Sequence, residues 1–136
     1  MQRAFILVLM AALVTGCAGS LKRSDTDETL AQYMGYAGDP VQGFTAMRIQ
    51  SWQPLARDKL ILWTGINEAY LLTVWDNCTD LMFANVIGVT QSGSQVTSFD
   101  KVRVGRDRCP IQQIRPLNIK QMKADRAADA ASKPKS

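Results

Sequence analysis

Residues 44–119 form a succession of short apolar runs separated by turn residues, and this pattern constrains the fold more than any other feature. Residues 59–63 and 69–75 are rich in branched and aromatic side chains, and the turn residues between them predict a β-hairpin. Further strands are expected at residues 44–52, 85–90, 96–99, 101–104 and 109–117. The first of these ends before Pro54, at an edge position. Six to seven closely spaced strands predict a mainly β fold, a small antiparallel barrel or sandwich, with a short helix over residues 79–84.

The N-terminus has the features of a processed segment, so residues 1–16 are set aside as a signal peptide. Arg3 precedes an apolar run over residues 4–14, which is shorter than the ~18–20 residues that span a bilayer. The run ends in Val14-Thr15-Gly16-Cys17, which resembles the bacterial lipobox. The resemblance implies that Cys17 is lipidated, and Ala18 after it favours the outer membrane. The alternative is an ordinary secreted protein with a chance cysteine after Gly16.

The other two of the three cysteines, Cys78 and Cys109, predict a disulfide. A pair of thiols in an oxidising envelope is typical of a structural bridge. The alternative is a redox site, but the chain has no C-x-x-C motif, and without histidine zinc would lack ligands.

The two flanks of the strand-rich stretch differ in charge. Residues 17–43 are interpreted as the lipidated N-terminus and a tether, in which Leu30, Tyr33 and Met34 have helical spacing before Gly35. Residues 120–136 are basic, rich in alanine and without a wide apolar face, so a disordered tail or frayed helix is expected. Contact of this tail with anionic lipid or cell-wall polymer is the alternative to full solvation.

No catalytic constellation is present in the sequence, and we expect the protein not to be an enzyme. The chain has no histidine, which excludes Ser-His-Asp and Cys-His arrangements, and it has no phosphate-binding glycine loop. Neither a cofactor nor a metal is expected. The net charge of +4 is too small to predict a nucleic-acid partner. Among the carboxylates, Asp100 after Phe99 is the most notable, and capping a turn is favoured over catalysis.

Two sets of side chains could bind a partner. The basic set could hold an anionic group such as a lipid phosphate, or it could be a solvated strand face. It consists of Lys101, Arg103, Arg106, Arg108 and Arg115. The aromatic set could form a binding platform, although core packing is favoured in so small a domain. It consists of Trp52, Trp63, Trp75 and Tyr70.

Several stretches over about residues 36–118 resemble an uncharacterised family of small proteobacterial envelope lipoproteins, a domain of unknown function. The matching stretches are residues 37–41, 51–52, 62–64, 69–72, Cys78 with Leu81 and Ala84, residues 87–90, 99–100, 108–109, Ile111 and residues 114–117. The resemblance implies a β-rich periplasmic domain with paired cysteines, and it assigns no activity.

Together these features predict a lipid-anchored protein on the periplasmic face of the outer membrane. We expect a non-enzymatic structural or partner-binding component of the envelope, whose partner is an envelope protein or an anionic lipid. The alternative is a β-barrel that binds a lipid or small ligand inside. A third hypothesis, ranked below the other two, is a hydrolase that uses Asp100.

Overall fold

A computed structural model describes residues 21–134 of the chain, with side chains from residue 26 onward. The predicted signal peptide and Cys17 lie outside these residues. The described part contains two helices, eight strands and one turn of 3-10 helix at Leu81–Phe83. The helices are α1 (Leu21–Met34) and α2 (Ile119–Ser132). The strands are β1 (Gly43–Thr45), β2 (Ser51–Ala56), β3 (Lys59–Gly65), β4 (Glu68–Val74), β5 (Ile87–Val89), β6 (Gln95–Thr97), β7 (Lys101–Val104) and β8 (Asp107–Leu117).

Six of the strands form one antiparallel sheet in the order β2-β3-β4-β8-β7-β5, curled into a half-barrel. β1 and β6 pair separately as a two-stranded sheet. The long strand β8 joins the two ends of the large sheet, because its first residues pair with β7 and the rest with β4. The predicted mainly β fold and the β3–β4 hairpin are confirmed.

At strands β3 and β4, both faces of the large sheet are packed. The inner face buries Leu60 and Leu62 of β3 with residues from β1, β4, β6, β7 and β8. Ile61, between them in sequence, points to the outer face and is buried with Leu55 and Leu71 under the two helices. A strand that is covered on both sides has a continuous apolar sequence, which explains the run at residues 60–62.

The cysteines bridge the segment after β4 to strand β8. Cys78 and Cys109 form a disulfide with Cα atoms 5.5 Å apart, and both residues are 1% exposed within the inner core. The predicted pair is therefore present in the fold.

The expected strand at residues 44–52 is wrong in its extent. The chain leaves the sheet between β1 and β2, so that β1 pairs with β6 while β2 pairs with β3. β2 also continues through Pro54 to Ala56. Proline is tolerated there because β2 is an edge strand, and the missing N–H has no neighbouring strand to bond.

Of the two expectations for the basic C-terminal stretch, disorder is wrong for residues 120–132 and a helix is present, because these residues belong to α2. Asn118 caps this helix, since its Oδ1 accepts a 3.1 Å hydrogen bond from the Gln121 backbone N–H. Ile119 and Met122 are each 1% exposed and pack in the outer core. The predicted helix before Gly35 is confirmed as α1, and its buried Tyr33 makes it part of the packed domain. Neither helix in the described residues is long and apolar enough to cross a membrane.

Candidate functional site

The outer face of the large sheet is divided into a covered apolar half and a bare basic half. The helices cover the part formed by β2, β3, β4 and the end of β8. On β7 the pattern alternates, with Val102 and Val104 buried on the inner face and Lys101 and Arg103 exposed on the outer face. The uncovered half therefore presents charged side chains to solvent.

The strand register places two arginines side by side on this bare half. Arg103 of β7 lies opposite Arg108 of β8, and on its other side it lies opposite Gly88 of β5. A Cβ atom at Gly88 would be 3.6 Å from Cβ of Arg103, in ordinary contact. Gly88 therefore stands in a regular strand pair with no close backbone approach.

Arg106 completes this group at the β7–β8 turn, after Gly105, whose φ of 57° lies in the left-handed region that glycine adopts without strain. We call the exposed set Lys101, Arg103, Arg106 and Arg108 the basic face. Within residues 21–134 none of these four side chains makes an ion pair or a hydrogen bond; the described ion pair joins Lys59 to Asp58. Like charges directly across a strand pair are destabilising, so Arg103 and Arg108 favour an anion between them.

An open groove of about 350 Å³ lies on this half of the sheet. Its lining consists of Thr90, Phe99, Lys101, Arg103 and Arg108. Phe99 is 90% exposed, although large apolar side chains are usually covered. The groove thus combines three cations with one aromatic ring.

Asp100 lies beside the groove, and its carboxylate stabilises the turn between β6 and β7 by accepting hydrogen bonds. Its Oδ1 accepts a 2.9 Å hydrogen bond from Thr90 Oγ1, and its Oδ2 accepts bonds from the Thr97 N–H at 2.8 Å and Thr97 Oγ1 at 3.0 Å. Partial burial favours a higher pKa for Asp100, but these hydrogen bonds outweigh it and lower the pKa. The predicted turn-capping role is confirmed.

Arg115 was predicted to join the basic set, but it does not lie on the basic face. It lies on the part of β8 that pairs with β4, where it is half-buried and its Nε donates a 2.9 Å hydrogen bond to the Gly38 carbonyl. Conversely, Phe99 and Thr90 were absent from the predicted set. Phe99 lies in the turn between β6 and β7, so the alternation along β7 does not predict its position.

The aromatic residues do not form a platform. Trp52 packs against the inner core and Trp63 against the outer core, on opposite faces of the sheet. Tyr70 stacks on Phe44 with ring centroids 3.9 Å apart, and Trp75 is 54% exposed. These side chains serve mainly as packing, as the favoured interpretation expected.

Other places in the fold offer less to a ligand. The inner face, where the barrel hypothesis puts one, is filled by side chains such as Leu60, Leu72 and Ile114, each 0% exposed. A cavity between the end of α1 and the start of α2 is lined by backbone groups already bonded to each other, such as Gly38 N–H to the Pro116 carbonyl. In residues 21–134 no three potential metal ligands come together.

Comparison with known proteins gives a family but no activity. The model of a family of unknown function (DUF6491) matches residues 1–133. No curated protein and no solved structure matches the chain. The expectation of an uncharacterised family is confirmed, while lipidation and envelope location stay predictions.

Proposed function

The chain belongs to the family of unknown function DUF6491, and we propose that it is a lipid-anchored, non-enzymatic envelope protein that binds an anionic partner on its basic face. The main observation in favour of an anionic partner is the pair Arg103 and Arg108. They lie opposite each other on an uncovered strand face, with no acidic partner in the described residues. An anionic group that accepts hydrogen bonds from both guanidinium groups would relieve this repulsion.

The anchor is supported by the sequence. A lipobox at residues 14–17 would place two or three acyl chains on Cys17, and each buried methylene adds ~0.8 kcal/mol of membrane affinity. Ala18 favours the periplasmic face of the outer membrane. The Cys78–Cys109 bridge suits an oxidising compartment.

The absence of catalysis is supported by the chemistry of the available groups. The chain has no histidine to act as a general base near neutral pH. Asp100, which is bonded to Thr90 of the groove, accepts three hydrogen bonds from threonines and has a lowered pKa, so it is a poor proton acceptor at neutral pH.

The anchor and the partner are tested by separate measurements. The intact mass of the protein from cell membranes should begin at Cys17 with acyl chains and rise by two protons on reduction. An unlipidated mass would remove the anchor from the proposal.

For the partner, a photoreactive phenylalanine analogue at residue 99 should form adducts in cells. The same analogue at Phe83, which is 84% exposed on the 3-10 turn, is the matched control. Adducts at position 99 that do not exceed those at position 83 would refute binding at the basic face.

A further inference from the structure

We propose that the anionic partner is a membrane surface: the basic face lies against a bilayer of anionic phospholipid, and Phe99 inserts among its headgroups. This inference rests on the proposed function, because it names the partner of the same face. It commits to a lipid surface, and an acidic protein is the competing outcome of the test.

The chemistry of the groove matches an interface between water and hydrocarbon. Phe99 is 90% exposed, and the groove that it lines also contains Lys101, Arg103 and Arg108. Membrane-binding surfaces combine apolar side chains, which enter the headgroup boundary, with cations that contact lipid phosphates. A solvated strand face accounts for the cations alone, whereas a membrane surface also uses the ring that lines the same groove.

The arginine side chains of the basic face are not held in one conformation, and this favours lipid headgroups over a folded protein as the partner. Within the described residues the guanidinium groups of Arg103 and Arg108 are held by no hydrogen bond and no ion pair. Ordering flexible side chains against a rigid ligand costs affinity. Headgroups that diffuse within a bilayer can move to the cations, so this surface does not need to be preorganised.

Because the proposed anchor already attaches the protein to the membrane, a weak contact between the basic face and the bilayer is enough to orient the domain. In the sequence Cys17 lies four residues before Leu21, where the described part of helix α1 begins. A short connection keeps the domain at an effective concentration of about millimolar near the bilayer. The basic face would then set the orientation of the domain on a membrane to which it is already attached.

The test uses the chain without lipid, starting at residue 18, so that Cys17 cannot contribute. The described residues 21–134 hold both packed cores, and this chain retains them. Co-sedimentation is measured with vesicles of phosphatidylcholine alone and of phosphatidylcholine containing phosphatidylglycerol. We expect binding to the anionic vesicles only, weakening with added salt.

Substitutions locate the binding surface. Each cation near an anionic bilayer contributes about five-fold in partitioning, so Arg103→Gln with Arg108→Gln should weaken binding about 25-fold. Phe99→Ser should weaken it by about ten-fold, and Phe99→Leu should restore most of that loss. Arg57→Gln and Phe83→Ser, at exposed residues outside the basic face, are the controls and should bind like the unsubstituted chain.

Three results would overturn the inference. Equal binding to neutral and anionic vesicles, or equal losses in the control variants, would show that the basic face is not the membrane contact. An absence of vesicle binding, together with protein adducts at position 99 in cells, would assign the face to an acidic protein and leave the proposed function standing. An intact mass without acyl chains would instead remove the anchor, whatever the vesicles show.

Discussion

Tyr36 donates a 2.7 Å hydrogen bond from its Oη to Oδ2 of Asp125, 89 residues later in the chain. The bond joins the segment after α1 to the middle of α2. Arg126 adds two contacts between the same helices, since it donates to Gln32 Oε1 at 3.1 Å and lies 5.9 Å from the centre of the Tyr33 ring. The two helices that cover the outer face are therefore linked to each other as well as to the sheet.

This relationship predicts a loss of stability in alkaline solution. The pKa of Tyr36 is raised, first by its hydrogen bond to Asp125, then by burial and by the charges of Asp125 and Asp129, with Arg126 opposing. Because the folded pKa exceeds the unfolded value of 10.0, the contribution of Tyr36 is complete below that pH. It is lost as the pH rises through the folded value. Tyr36→Phe should make the loss of unfolding free energy above about pH 10 less steep.

Urea unfolding over this pH range measures the effect, and Tyr70 must be treated separately. Burial, followed by the hydrogen bond to Glu68 and its charge, raises the pKa of Tyr70 to about 12, so it contributes with the same sign. Tyr70→Phe serves as the comparison, and the double variant should be less pH-dependent than either single variant. An unchanged alkaline slope in Tyr36→Phe would contradict the assignment.

The disulfide should contribute a large part of the stability of this small domain. Cys78 and Cys109 are 31 residues apart, and the chain-entropy model gives about 3–4 kcal/mol for a loop of this length. Cys78→Ala with Cys109→Ala should lower the free energy of unfolding by about this amount, measured in urea. The unsubstituted protein in reductant should unfold at a similarly lowered urea concentration, while the double variant should not respond to reductant. Equal stability with and without reductant in the unsubstituted protein would refute the prediction.

Helix α2 should stabilise the domain through its first turn. Met122 is 1% exposed in the outer core, so Met122→Ala should cost about 2–5 kcal/mol of unfolding free energy. Met47 is 93% exposed and provides the same substitution without burial, for which a change within about 0.5 kcal/mol is expected. Thermal or urea unfolding compares the two. A neutral Met122→Ala would indicate that residues 120–132 are not packed on the sheet.

The sequence predicts the central strands of the sheet better than the helices that pack on it. The β3–β4 hairpin was predictable because its apolar runs and its turn residues agree. Helix α2 was not, because its buried apolar side chains are only Ile119 and Met122, both in the first turn, and they give no periodic stripe.

The candidate site was predictable only in part, for a related reason. The alternation of β7 gives the phase of Lys101 and Arg103, but strand pairing decides which residues lie beside them. Arg108 joins them because the start of β8 pairs with β7, whereas Arg115 is separated from them because the end of β8 pairs with β4. A change of partner along one strand leaves no mark in its sequence.

Gly43 should be required for the two-stranded sheet that packs on the inner core. A Cβ atom at this position would lie 2.6 Å from the Val96 carbonyl oxygen and 3.2 Å from Cα of Thr97, so the backbone of β1 or β6 would have to move. Phe44, the next residue, is buried in the inner core, and it would shift with the strand. Gly43→Ala should therefore cost more than about 1 kcal/mol of unfolding free energy.

Gly88→Ala is the matched control for Gly43→Ala, because it also adds one methyl group to a strand glycine. Its Cβ would lie 3.6 Å from the nearest atom, Cβ of Arg103, which is ordinary van der Waals contact. We expect a change within about 0.5 kcal/mol in urea unfolding. If both variants lost the same stability, the close approach between β1 and β6 would not be the cause, and a general cost of replacing glycine in these short strands would explain the result.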